Sequence, residues 1–73
     1  MFIKTQDNQI VNMDKVIFVQ VGKYLNKDNG QLNLHMDGMC ISAYEGTIDD
    51  AEGAFTTLEE ALIKGASFID YSK

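Results

Sequence analysis

The chain has 73 residues, 45% of them hydrophobic and 23% charged, which matches an ordinary globular protein and not a disordered one. Six basic against eleven acidic residues give a formal net charge of −5 and a pI near 4.5. Arginine, the side chain best suited to forked contacts with phosphate and guanine edges, is absent, so direct nucleic-acid binding is excluded as an expectation. No apolar run approaches the roughly 18 residues of a membrane span, and Met1-Phe2-Ile3 lacks the basic region of a secretion signal. Cys40 is the only cysteine, so no internal disulfide is available, which fits a reducing, cytoplasmic setting. A chain this short buries only about 60% of its unfolded surface, so it reads as a single domain, residues 1–73, for which self-association would add stability.

In chain order, Phe2 to Thr5 and Ile10 to Asn12 read as two short strands separated by a polar turn over Asp7 and Asn8. Val16-Ile17-Phe18-Val19-Gln20-Val21 is β-branched and almost continuously apolar, the pattern of a central strand covered on part of both faces, with the next strand as its partner. Asn26 to Gly30 reads as the turn between them. Asp37-Gly38, between the alternating runs Leu32 to Met36 and Met39 to Tyr44, suits a two-residue type I′ hairpin turn. That turn sets a register: Met36 faces Met39, His35 faces Cys40, Leu34 faces Ile41, Asn33 faces Ser42 and Leu32 faces Ala43. Leu32, Leu34, Met36, Met39, Ile41 and Ala43 then share the packed face, while Asn33, His35, Cys40, Ser42 and Tyr44 share the other. Met13, Met36, Met39, Phe18 and Phe68 read as core.

Glu45 to Gly53 reads as an acidic loop, and Thr57-Leu58-Glu59-Glu60 has the form of a capping box that starts a helix. Glu59 and Glu60 suit the positive end of its dipole, and Glu60 and Lys64 have the spacing of a favourable pair. Beyond Lys64 two readings stand. Leu58, Leu62, Gly65 and Ile69 share one helical stripe that would carry the helix to about Tyr71; alternatively Gly65 caps the helix and Ala66 to Tyr71 return as a last strand. The expected fold is therefore α+β: an antiparallel meander of four to five strands with one C-terminal helix packed on it, and room for a short final strand.

The opening Met1-Phe2-Ile3-Lys4-Thr5, the segment Ile10-Val11-Asn12-Met13-Asp14-Lys15-Val16 and the closing Thr57-x-Glu59-Glu60-Ala61-Leu62 resemble a broad set of small, uncharacterised bacterial and phage proteins. The resemblance is spread over the whole length and carries no catalytic residue. It implies a small α+β fold, a mobile-element origin and, by analogy, action by binding another protein.

Few residues point to chemistry. His35 and Cys40, as cross-strand neighbours, would make an activated thiolate or half a zinc site, but no orienting group, oxyanion hole or further ligand accompanies them, and two polar residues on a half-exposed sheet face is the plainer reading. Asp49, Asp50 and Glu52 offer oxygen ligands for a hard cation, yet their spacing is not that of an EF-hand, and a solvated acidic loop is favoured. The six glycines are dispersed and form no phosphate-cradling run, so nucleotide use is not supported. No catalytic, cofactor or metal site is expected.

Charge distribution is the remaining signal. Four lysines against two aspartates give the first 27 residues +2, whereas residues 28–63 carry eight acids and no base. Such a bias usually serves solubility. Its functional reading is a protein-binding patch formed by Asp37, Glu45, Asp49, Asp50, Glu52, Glu59 and Glu60, directed at a basic surface of a protein partner. Because many basic surfaces bind nucleic acid, the sharp form is a phage-type inhibitor that mimics a phosphate backbone, supported if the carboxylates are regularly spaced. The alternative is a structural homo-oligomer assembled through sheet edges or an apolar face. An enzyme ranks below both, because so short a chain leaves little volume for a pocket.

Overall fold

The computed structural model describes residues 1–23 and 28–72. Its elements run β1 (Phe2–Lys4), β2 (Ile10–Asn12), a single 3₁₀ turn (Met13–Lys15), β3 (Val16–Lys23), β4 (Asn29–Met36), β5 (Met39–Thr47), α1 (Ile48–Lys64) and β6 (Phe68–Asp70). The fold is α+β with mostly antiparallel strands, a helix packed on the sheet and a short final strand, in agreement with the sequence. The strands divide, however, between two three-stranded sheets, ordered β2-β1-β6 and β3-β4-β5, instead of forming one meander.

The β4–β5 hairpin is built on Asp37-Gly38. Met36 pairs with Met39, His35 with Cys40, Leu34 with Ile41 and Asn33 with Ser42, the register set by a two-residue loop. Only Gly38 lies in the left-handed region, at φ 76°, so the turn is not type I′, which needs positive φ at both central residues. A bulge then shifts the pairing, and Leu32 faces Tyr44 where Ala43 was expected. The extra residue re-aims the side chains beyond it. Ala43 is fully buried, and Tyr44, assigned by alternation to the opposite face, instead packs against the core.

β3 does pair with β4, but it is an edge strand, not the expected central one. Val19 and Val21 pack against the core from its inner face, whereas Ile17 is 69% and Phe18 53% exposed. The unbroken apolar run is thus divided between one packed face and one open face. Of the expected turn over Asn26 to Gly30, Asn26 and Lys27 lie outside the described residues, while Asn29 and Gly30 open β4.

The two readings of the C-terminus resolve in favour of a strand. Gly65 ends α1 in the left-handed conformation, φ 71° and ψ 33°, with its N–H turned back to the Ala61 and Leu62 carbonyls. The chain then returns as β6, parallel to β1, with Ile69 beside Ile3. Flanking bonds lock that pairing: Phe2 N–H to the Ser67 carbonyl at 3.0 Å and Tyr71 N–H to the Lys4 carbonyl at 2.8 Å. Leu62, placed on the packed stripe by the longer-helix reading, is 56% exposed.

One core joins both sheets and the helix: Ile3, Val11, Leu32, Leu34, Ala43, Ala54, Leu58, Ile69 and Tyr71. Met13 and Met36 pack against it, as expected. Met39, Phe18 and Phe68 do not belong to it and stand about half exposed, because they lie on outer sheet faces or at the hairpin tip. Among the described residues no helix is long and apolar enough to cross a membrane.

Candidate functional site

Of the expected acidic loop Glu45 to Gly53, Glu45 to Thr47 complete β5 and Ile48 to Gly53 open α1. Thr47 is the true N-cap: its Oγ1 accepts the Asp50 N–H at 3.0 Å, and the Asp28 carbonyl accepts the Ile48 N–H at 2.7 Å. Two of the orphan donors of a helix start are thereby satisfied. Asp49 and Asp50 sit in the first turn, where the helix dipole favours negative charge. The expected capping box at Thr57 is corrected accordingly: Thr57 lies inside α1, and its hydroxyl donates to the Gly53 carbonyl at 3.0 Å. The signal for the real start was Thr47-Ile48-Asp49-Asp50, a cap residue followed at the third position by an acid that suits the dipole.

With 3.6 residues per turn, Asp49, Glu52, Glu59 and Glu60 fall within an arc of about 100°. Ala51, Ala54 and Leu58, the buried residues of α1, lie on the opposite side. All four acids are exposed, and the row spans about 16 Å along the axis at about 1.5 Å per residue. Thr56 and Ile63, also exposed, share the arc, so the carboxylates are not evenly spaced, and the row ends on an isoleucine that is 85% exposed.

The remaining expected residues lie elsewhere. Asp37 occupies the hairpin tip, at the far end of β5 from the start of α1. Glu45 is exposed on β5, its backbone N–H bonded to Gln6 Oε1 at 3.1 Å. Asp50 leaves the outer row and lines a groove of about 390 Å³ with Tyr44, Asp49, Thr57, Asp70 and Tyr71. Asp70 belongs to β6 and was not singled out in the sequence, since nothing local distinguishes an acid in a short strand from any other. The Tyr44 and Tyr71 rings are 6.2 Å apart. Tyr71 is buried, its hydroxyl donates to the Ala54 carbonyl at 2.6 Å, and burial pushes its pKa up to about 12.

His35 and Cys40 are cross-strand partners on the outer face of the β3-β4-β5 sheet, with Cys40 Sγ 3.9 Å from His35 Nε2. Gln20 Oε1 lies 2.8 Å from the same nitrogen, so the amide competes with the thiol for it. Phe18 stacks on the imidazole at 4.2 Å between centroids and 9° between planes. The arrangement is a packed surface cluster. No three His, Cys, Asp or Glu side chains among the described residues lie where they could share a metal ion.

Comparison of the chain with models of protein families, with curated proteins and with solved structures finds no match in any of the three.

Proposed function

We propose that this protein acts by binding, and not by catalysis, and that it presents the outer face of α1 to a basic surface of a protein partner. The observation that supports this reading is the placement of Asp49, Glu52, Glu59 and Glu60 on one exposed helical face opposite the buried one. Four like charges within about 16 Å attract a cationic surface over roughly a Debye length, about 10 Å at 0.1 M salt. Ile63 supplies an apolar contact at the end of the row, so charge steers the encounter and an aliphatic side chain anchors it.

The partner class that fits is a protein whose basic surface otherwise holds nucleic acid, which this chain would occlude as an inhibitor. Thr56 interrupts the row, so attraction of charge supports the reading, not a copy of regular phosphate spacing.

The test is capture of partners from host lysate on the immobilised protein, with elution along a salt gradient and identification by mass spectrometry. The expected result is a basic nucleic-acid-binding protein released at moderate salt, displaced by added DNA or RNA, and lost when Asp49, Glu52, Glu59 and Glu60 become amides. A partner retained by that fourfold variant would show that the acidic face is not the binding surface.

A further inference from the structure

We propose that the open edge of β3 pairs with β3 of a second copy, forming a weak, two-fold symmetric dimer with one continuous six-stranded sheet. The sheet edges of this fold are unequal. β2 and β6, the edges of the smaller sheet, are three residues each and offer little to pair with. The β5 edge is partly covered: Gln6 N–H donates to the Ala43 carbonyl at 2.8 Å, and Gln6 Oε1 accepts the Glu45 N–H at 3.1 Å. β3 is eight residues long, and among the described residues no other element bonds its outer edge.

The usual protections of an edge strand are a proline, a charge or a bulge. β3 has no proline, and its one charge, Lys23, stands at its last position. Its bulge falls between Val16 and Phe18, which leaves Phe18 to Lys23 in unbroken register with β4. Ile17 and Phe18, 69% and 53% exposed, flank that edge.

Antiparallel self-pairing sets the two Lys23 residues at opposite ends of the seam, and an identical edge matches this one in length and hydrogen-bonding period. Antiparallel pairing of β3 with itself is isologous and closes at two copies, because each β3 edge is then occupied. Six regular residues make a seam only about 20 Å long and one strand wide, which buries less than the roughly 800 Å² per partner of a standard interface, so the affinity falls in the micromolar range or weaker. Repulsion between two copies of net charge −5 weakens it further at low salt.

Sedimentation equilibrium from micromolar to millimolar protein, combined with amide hydrogen exchange, tests this. The mass is expected to rise from 8.2 kDa toward twice that value, more readily at high salt, while the alternate β3 amides not bonded to β4 gain protection with concentration. Phe18→Lys, a charge beside the edge, should weaken association about tenfold. A constant 8.2 kDa at every concentration, or association that leaves those β3 amides exchanging freely, would overturn the proposal, and both measurements use the unaltered chain. Salt keeps the result separate from the acidic-face reading, since salt weakens that contact and strengthens this one.

Discussion

The Tyr71 hydroxyl donates a 2.6 Å hydrogen bond to the backbone carbonyl of Ala54, tying the residue just after β6 to the middle of α1. A parallel β1–β6 pair of only three residues would fray alone. The buried phenol gives that short strand a tether to the helix, and Tyr71→Phe is expected to cost about 1 kcal/mol, the net value of one internal hydrogen bond. The same variant carries a pH signature. Folding holds the Tyr71 pKa at about 12, above its ordinary value of 10.0, so the native state keeps a proton that the unfolded chain releases. That stabilisation is complete below pH 10 and is lost as pH rises toward 12. Urea unfolding between pH 9 and 12 should show a steeper loss for the parent than for Tyr71→Phe; equal slopes would mean that another group governs alkaline unfolding.

Two glycines of the helical segment predict opposite outcomes. Gly53 lies inside α1, and a Cβ built there meets nothing within 4 Å. Gly53→Ala should therefore stabilise by up to about 1 kcal/mol through helix propensity and a less flexible unfolded chain. Gly65 holds φ 71° at the C-cap, where an L side chain is strained, so Gly65→Ala should destabilise by about 1 kcal/mol even though its Cβ also meets open space. Thermal melts of the two variants should move apart in sign.

Gly30 is a different case, set by close approach. Its Cβ would lie 3.2 Å from both the Ala51 Cβ and the Ile48 Cα, where the first turn of α1 crosses β4. Gly30→Ala should push the helix start off the sheet and cost about 1–3 kcal/mol, as overpacked sites do. If Gly30→Ala melts with the parent, the helix start is free to move away from β4, and the close crossing is not a constraint on stability.

Much of this fold could be read in the chain because its signals are local. Asp37-Gly38 gave four correct cross-strand pairs, and the β-branched composition of Val16 to Val21 gave a strand in the correct partnership. What escaped depended on non-local events. No residue near Ala43 marks the bulge that carries Tyr44 to the core, and no pattern within β3 tells an edge strand from a central one. The helix start was displaced because Asp49, Asp50, Glu52 and Gly53 have loop-like composition, while the determinants of helix were the Thr47 cap and the burial of Ala51 and Ala54 against the sheet. For the candidate site, that displacement matters. Treated as a loop, the acids have no fixed relation; as a helix, four of the seven expected residues share one face, Asp50 lies off that arc and lines the groove together with Asp49, and Asp37 and Glu45 stand apart.

The position of the helix start is itself testable, because two threonines compete for it. Thr47 Oγ1 accepts the Asp50 N–H, so Thr47→Ala should expose an unpaired donor in the first turn and cost about 1 kcal/mol. Thr57 lies inside the helix with its hydroxyl bonded back to Gly53, and there alanine is the better helix former, so Thr57→Ala should be neutral or stabilising by up to about 0.5 kcal/mol. A start at Thr57 would reverse the two results. Urea unfolding of both variants therefore decides whether residues 48–56 are helical in solution. The answer bears on binding, since loss of the Thr47 cap frays the turn that sets Asp49 in line with Glu52, Glu59 and Glu60. Thr47→Ala should consequently weaken capture of a basic partner without changing any charge, whereas Thr57→Ala should leave it intact.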